Sequence, residues 1–199
     1  KVIRGDTVSP QSFAVETHYD LEQRHLAMVA WFEDPSGGAP AQQRLDRLVR
    51  QVAALLGSPR APLISAVDRT TAWAWASMPV AELPSTIRAS IDEVVAKAPG
   101  VRLSLGGIEP GIDGFRLSHQ QAVGAWHVAL SSNRYRQAPV VADSDPNVAL
   151  TSILLKDQGE SVRWMRRVLG RYAGAGEANS AVRETLRVFF ASGQNYSRT

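Results

Sequence analysis

The feature that most constrains the fold is a short apolar run, HLAMVAWF, at residues 25–32. A run of this length without polar interruptions is typical of a strand in the middle of a sheet, where neighbours cover it. The following residues, 34–40, are rich in Pro and Gly, and this turn chemistry predicts a loop. We therefore predict a buried central strand at residues 25–32, and the rest of the chain has to supply its neighbours.

The periodicity of the remaining residues predicts those neighbours. Apolar residues recur at helical spacing from Leu45 to Leu56, and Gly57 with Pro59 is a helix stop. Residues 63–67 and 72–78 predict two strands joined by a tight turn, which is a hairpin. The next predicted elements are a helix capped by Ser85, a half-exposed strand at 101–105, a glycine-rich loop at 106–111, a helix with Phe115, His119, Ala122, Val123 and Trp126 on one stripe, and a strand at 140–142.

The order of these elements is β-α-β-β-α-β-α-β, followed by helices. Strands and helices that alternate around one hairpin predict an α+β fold of the ferredoxin-like kind, with a mostly antiparallel sheet and helices packed on one of its faces. Residues 1–20 show little periodicity and are interpreted as a lead-in. From Asp145 the pattern is helical, with Asp145-Pro146 and Ser180 as predicted helix starts and Gly193 as the last helix end.

Composition excludes several classes of protein. With 44% hydrophobic and 21% charged residues, the chain has the composition of a globular protein rather than a disordered one. The absence of cysteine excludes disulfides, Cys-ligated metal centres and a thiol nucleophile. No stretch approaches the ~18–20 apolar residues of a membrane helix. Because the chain opens on Lys1 without a charged-then-apolar leader, we expect a piece of a cytoplasmic protein that has no membrane contact.

The positive charge is concentrated near the end of the chain. Residues 1–150 carry fourteen Lys/Arg and fifteen Asp/Glu, whereas residues 151–199 carry eight and four. The first part is therefore a poor nucleic-acid surface by composition. The basic surplus of the last fifty residues is either a solvated helix face or the approach to a DNA-binding element.

Two motifs resemble those of one family of regulators. The final stretch, TLRVFFASGQNYSRT at residues 185–199, resembles the residues that lead into the C-terminal helix-turn-helix of PucR/CdaR-type transcription regulators. Upstream, GFRLSHQQA at residues 114–122 resembles a signature of the GGDEF-like regulatory domain of the same family. The resemblance covers roughly residues 18–199. It implies a lead-in at 1–20, a GGDEF-like domain at 21–144, and a helical segment at 145–199 that leads into a truncated helix-turn-helix.

Domains of this kind are similar in fold to diguanylate cyclases, so the resemblance implies a nucleotide-cyclase-like sheet. A cyclase holds two divalent metals with carboxylates at the end of its first strand, and holds its nucleotide at a GG[DE]EF hairpin turn. Here the first strand ends in bulky Trp31 and Phe32, and the hairpin carries DRTT at residues 68–71 without Gly-Gly. Both halves of the cyclase site are degraded, so we expect a non-catalytic domain that has no metal or cofactor.

Seven residues are candidates for contact with an effector. Trp73 and Trp75 fall on one face of their strand and form either core or the wall of a ligand pocket or dimer surface. Arg116 and Ser118 flank the expected start of a helix, where anions bind; a surface ion pair and a local hydrogen bond are the alternatives. His119 lies on the apolar stripe, where a hydrogen-bonded core histidine is the alternative. The complete set is Asp68, Arg69, Trp73, Trp75, Arg116, Ser118 and His119.

The resemblance implies the effector-sensing and dimerising part of a bacterial regulator. Its expected partners are a second copy of the chain, a small-molecule metabolite, and DNA through the full-length protein, because the recognition helix is absent from these 199 residues. One alternative is a divergent nucleotide-binding or cyclase-like enzyme that uses Glu33, Asp34 and Asp68 with magnesium. Another is a dimerisation scaffold that binds no small ligand.

Overall fold

The protein is described by a computed structural model that covers residues 2–4, 9–34, 41–174 and 176–191. Residues 35–40 of the predicted loop and residues 192–199, with the predicted helix end at Gly193, lie outside the described residues. The strands are β1 (Arg24–Phe32), β2 (Leu63–Ala66), β3 (Thr71–Met78), β4 (Val101–Pro110) and β5 (Val140–Ala142). The helices are α1 (Pro10–Thr17), α2 (Ala41–Leu55), α3 (Ser85–Ala96), α4 (Gly111–Ser131), α5 (Val148–Lys156), α6 (Gln158–Leu169) and α7 (Glu177–Ala191), with 3-10 turns at Val2–Arg4 and Gly170–Ala173.

The strands form one sheet in the order β2-β3-β1-β4-β5. The central strand β1 pairs antiparallel with both β3 and β4, and β2 pairs antiparallel with β3. The short strand β5 lies parallel to β4 at one edge. This arrangement confirms the predicted α+β fold and the central place of the apolar run, because β1 is buried at eight of its nine residues.

Helices cover both faces of the sheet, so the prediction of helices on one face was wrong. On one face, aliphatic side chains of β1 and β4 such as Met28 and Leu103 form a core cluster with residues of α2 and α3; we call this the aliphatic face. On the other face, α4 packs across β1 and β4; we call this the aromatic face. The physical reason is that both alternating sets of β1 side chains are apolar, and each set needs a cover.

Strand β4 and helix α4 differ from their predicted bounds. The predicted glycine-rich loop at 106–111 is wrong, because β4 continues to Pro110 and pairs with β1 as far as Arg24. Helix α4 then begins at Gly111. The lead-in also contains α1, whose Phe13 ring lies edge-on to the Phe115 ring with centroids 6.0 Å apart. Helix α1 buries no residue fully, which explains why periodicity did not reveal it.

The three predicted helix starts were misplaced. Ser85 is the first residue of α3, and Pro84 stands at the N-cap position without a side-chain hydrogen bond. Asp145 does not cap α5, which begins at Val148; its carboxylate instead accepts the Ala142 N–H and pairs with Arg88 at 2.8 Å. Ser180 lies inside α7. In each case the predicted helix exists and its cap is wrong.

The chain divides into two compact units, residues 1–153 and 154–199. The first contains the sheet and its core. In the second, none of the described residues 154–174 and 176–190 is buried. Within the described ranges, no helix combines the length and the apolar character that a bilayer span requires.

Candidate functional site

A β-bulge in β1 and β4 sets the position of α4 on the aromatic face. Leu26 pairs with Ile108 and Met28 with Leu105, so Gly106 and Gly107 together oppose one residue, Ala27. The ladder therefore leaves backbone groups that need another partner. The Ser118 hydroxyl accepts the Ala27 N–H at 2.7 Å and donates to the Gly107 carbonyl at 2.6 Å. Ser118 thus closes the bulge from the helix side.

Two glycines allow α4 to approach β4 this closely. A Cβ added to Gly106 would lie 2.0 Å from the backbone oxygen of Ser118, and one added to Gly114 would lie 2.6 Å from the Glu109 carbonyl carbon. No side chain fits at either distance. Gly106, which the sequence analysis placed in a loop, and Gly114 of α4 therefore permit close packing of the strand on the helix.

Aromatic rings fill the space between α4 and the sheet. The Trp75 ring stacks on Phe115 with centroids 4.5 Å apart, and its indole N–H donates to the Phe115 carbonyl at 3.2 Å. His119 stacks on Trp75 at 5.2 Å and meets Trp73 edge-on at 4.5 Å. Farther along α4, Trp126 lies 6.3 Å from Trp31 of β1. We call these residues the aromatic layer: Trp31, Trp73, Trp75, Phe115, His119 and Trp126.

Four nitrogen atoms of the aromatic layer are buried without a hydrogen-bond partner among the described residues: Nε1 of Trp31, Trp73 and Trp126, and Nε2 of His119. His119 is only 5% exposed, and burial lowers its pKa to about 4, so the imidazole is neutral at physiological pH. Buried polar atoms nearly always have partners in folded proteins. Because these four atoms lie in one layer, the aromatic face is the side of the sheet where hydrogen bonding is least complete.

A second histidine on the same face is fully satisfied. His25 Nε2 donates to the Leu21 carbonyl at 3.1 Å, which requires its Nδ1 to accept from the Tyr19 hydroxyl at 2.9 Å. Burial lowers the pKa of His25 and raises that of Tyr19. Arg24-His25 at the start of β1 also fits the family resemblance, but no pattern in the sequence indicates the pairing of His25 with Tyr19.

The hairpin turn that would correspond to a cyclase nucleotide site is closed by its own contacts. The Asp68 carboxylate accepts the Thr70 backbone N–H at 2.7 Å and the Thr70 hydroxyl at 3.1 Å, and the first of these lowers the pKa of Asp68. The Gln42 amide of α2 donates to the backbone carbonyls of Asp68 and Thr71. Arg69 is exposed at the tip of the turn. No group of three or more His, Cys, Asp or Glu side chains suited to a metal ion occurs among the residues that the structure describes.

Arg102 is a functional candidate that sequence analysis missed. The alternation of the predicted strand at 101–105 placed Arg102 on an exposed face, but its side chain is only 7% exposed, since Trp31 and the segment after α4 lie against it. It donates to the carbonyls of Ala138 and Tyr135, lies over the Trp31 ring at 5.2 Å, and has Glu33 at 3.5 Å. Burial lowers the pKa of Arg102.

The seven predicted site residues do not form one pocket. Trp73, Trp75 and His119 contact one another in the aromatic layer, whereas Asp68 and Arg69 belong to the hairpin turn. Because α4 begins at Gly111, the prediction that Arg116 and Ser118 flank a helix start was wrong. Arg116 donates to the Val2 carbonyl at 2.9 Å and pairs with Asp113 at 2.8 Å, and Ser118 is fully buried at the bulge.

Comparison with known proteins assigns the fold to a family. Residues 7–128, more than half of the chain, match the GGDEF-like domain. The match begins before α1 and ends within α4, so it includes the bulge, the two glycines and the whole aromatic layer. No curated protein matches the chain significantly. The chain therefore belongs to the family of proteins with a GGDEF-like domain, which suggests a regulatory or sensing role.

Proposed function

We propose that the chain is the effector-sensing and dimerising portion of a DNA-binding transcription regulator of the PucR/CdaR type. The GGDEF-like domain fits the regulatory part of such regulators. The finer assignment is carried by one observation, which is the character of the unit that follows the domain. Residues 151–199 carry eight Lys/Arg and four Asp/Glu, and no residue of α6, or of α7 as far as Phe190, is buried.

Helix α6 is amphipathic in a way that fits a helix-mediated contact. Val162, Met165 and Val168 recur at spacings of three and are 38%, 38% and 60% exposed. Arg163 and Arg167 fall on the opposite side of the helix. A helical unit whose described residues 154–174 and 176–190 include no buried residue gains its stability from contacts with a partner. A second copy of the chain supplies such a partner with matching apolar stripes.

Two features favour regulation over catalysis. The Asp68 carboxylate is engaged by Thr70, and Glu33 faces the buried Arg102. Neither acid is joined with others in a metal-binding group within the described ranges. In this proposal the domain acts by changing the arrangement of two DNA-binding modules on a two-fold site.

The DNA-binding part of the proposal is tested on the full-length gene product that contains this sequence. The tagged protein is crosslinked in its own cells, and the DNA that it carries is sequenced. We expect a small number of discrete, reproducible sites with two-fold character. Enrichment no greater than that of an untagged strain contradicts the proposal.

The dimerisation part is tested by mass in solution. One chain has a mass of 21.6 kDa, and we expect the particle in solution to have twice this mass. Changing Met165 and Val168 together to Ser should shift the mass toward that of the monomer, whereas changing Arg163 and Arg167 to Ser should not. A monomeric parent chain, or equal effects of the two double variants, contradicts dimerisation through α6.

A further inference from the structure

A surface cleft lies where β1 ends and β4 begins. Its volume is about 370 Å³, within the range of small-molecule sites. Its polar side chains are those of Glu33, Arg102, Arg136 and Gln137. We call it the arginine cleft. Its remaining lining is apolar side chains and backbone: Val95, Ala96, Ala98, Pro99, Gly100, Val101 and Pro139.

Arg102 brings a buried and incompletely paired cation to the arginine cleft. A guanidinium has five N–H donors, and those of Arg102 supply two hydrogen bonds to backbone carbonyls. The nearest carboxylate oxygen, that of Glu33, is 3.5 Å from Nη1, which is longer than a charge-assisted hydrogen bond. A buried charge is costly unless it is well paired. Nη1 therefore retains capacity for an anionic partner.

The charge around the arginine cleft is predominantly positive. Arg136 lines the cleft and makes no hydrogen bond or ion pair within the described part of the chain. Among the lining residues that the structure describes, Glu33 is the one carboxylate. A second cleft, between α2 and α3, shares Ala98, Pro99 and Val101 with the first and adds Arg44, Arg47 and Lys97, of which Lys97 pairs with Glu93.

We propose that the arginine cleft binds a small organic oxyanion, with the anionic group between Arg102 Nη1 and Arg136 and the apolar body against Val95 and Pro139. This inference rests on the proposed sensing role and names the ligand class of the domain. The planar guanidinium pairs with carboxylate and phosphate groups in the same forked geometry. Glu33 competes with the ligand for Arg102, and it can leave because its side chain is 53% exposed.

The test uses the whole 199-residue chain and three probes of one shape: benzoate, phenyl phosphate and neutral benzyl alcohol. Binding is measured by calorimetry at fixed ionic strength, so that general screening is constant. We expect benzoate or phenyl phosphate to bind and benzyl alcohol not to bind. The better of the two anions identifies carboxylate or phosphate as the recognised group. No heat of binding from either anion at millimolar concentration, or equal binding of benzyl alcohol, overturns the proposal.

Three variants locate the binding in the cleft. Arg136→Gln should lower the affinity for the anion by about tenfold or more, because one charged hydrogen-bond donor is lost. Arg134→Gln is the matched control. Arg134 lies two residues before Arg136 and carries the same charge, but its side chain does not line the cleft. The affinity of this variant for the anion should stay within about twofold of that of the parent chain. Glu33→Gln should tighten binding, because the competing carboxylate is neutralised. Equal weakening by Arg134→Gln and Arg136→Gln, or weaker binding in Glu33→Gln, overturns the proposal.

The test of the oxyanion site can be distinguished from the test of the proposed function. Direct binding by the isolated chain does not depend on DNA, and the occupancy of DNA sites in cells does not depend on benzoate or phenyl phosphate. A protein that occupies discrete DNA sites but binds neither anion refutes only the oxyanion site. If the chain binds an anion through Arg136 but the full-length protein occupies no DNA site, the oxyanion site is supported and the proposed role as a DNA-binding regulator is refuted.

Discussion

The two faces of the sheet are built in different ways from the same central strand. On the aliphatic face, the side chains of the core cluster are Leu, Val, Ile, Met, Ala and Phe, and none of them has a polar group to satisfy. On the aromatic face, Ser104, Ser118, His119 and Arg102 are all buried. Burial of apolar area is sufficient to stabilise the first face, whereas the second also depends on individual hydrogen bonds.

This difference indicates where function can reside. The aliphatic face tolerates exchange among hydrophobic residues of similar volume, so it specifies little beyond the fold. The aromatic face holds the bulge, the four nitrogens that have no hydrogen-bond partner among the described residues, and Arg102, which lines the arginine cleft. Changing individual contacts of the aromatic face, with control changes elsewhere in the chain, therefore tests whether this face depends on them.

The largest effect is expected from Gly106→Ala, which prevents α4 from seating on β4. The new Cβ would lie 2.0 Å from the backbone oxygen of Ser118, and backbone cannot yield as a flexible side chain can. We expect a loss of at least about 4 kcal/mol in the free energy of unfolding, or failure to fold. Urea denaturation followed by circular dichroism measures the loss.

Gly57→Ala is the control for that variant. Gly57 ends α2, has φ +68°, and has nothing within 4 Å of an added Cβ. Its cost should be about 1 kcal/mol, from backbone strain alone. Equal losses in the two variants would show that close packing of α4 on β4 is not a requirement of the fold.

A smaller effect is expected from Ser118→Ala. This change leaves the Ala27 N–H and the Gly107 carbonyl without the hydroxyl that bridges them. We expect a loss of about 2 to 4 kcal/mol, because two buried polar groups lose their partner. Ser90→Ala, on the surface of α3 where the hydroxyl bonds only the Thr86 carbonyl, should change stability by less than about 0.5 kcal/mol. A neutral Ser118→Ala variant would contradict the role given to the bulge.

The smallest effect at neutral pH is expected from His119→Phe, which keeps an aromatic ring and removes the unpartnered Nε2. At pH 7.5 the two proteins should differ by less than about 1 kcal/mol. Below pH 6.5 they should diverge. Burial lowers the pKa of His119 to about 4, below its unfolded value, so the folded chain binds fewer protons than the unfolded chain.

The stability contributed by neutral His119 is therefore complete above pH 6.5 and is lost as the pH falls toward 4. The parent chain should lose roughly 2 to 3 kcal/mol more than His119→Phe over this interval. His25, whose pKa is also lowered by burial, is present in both proteins and cancels from the difference. Parallel stability profiles between pH 7 and pH 4 would show that His119 is not held neutral by burial.

The sequence predicted features that depend on local pattern. The apolar run at 25–32 identified the central strand, and the spacing from Leu45 to Leu56 identified α2, since each pattern reports burial directly. The shared face of Trp73 and Trp75 followed from the alternation of side chains in a strand, and both rings meet His119.

Features that depend on which elements meet were not predictable. Gly106 and Gly107 follow the rule for a loop, yet both lie within β4. At Gly106 the space of a side chain is occupied by Ser118, more than ten positions away, and local pattern does not show this contact. Arg102 was assigned to solvent because alternation does not show that Trp31 and the segment after α4 lie against it. The predicted helix cap at Asp145 was wrong for the same reason, because Asp145 pairs with Arg88 of a distant helix instead of capping α5.

The central proposal is that this GGDEF-like domain regulates and does not catalyse, and the most direct measurement is nucleotide turnover. The chain is incubated with GTP and with ATP in the presence of Mg²⁺ or Mn²⁺, and the products are separated by chromatography. We expect no product above that of a heat-denatured sample, for the parent chain and for Asp68→Ala alike. Turnover by the parent chain that disappears in Asp68→Ala would contradict the account and establish the hairpin turn as part of an active site.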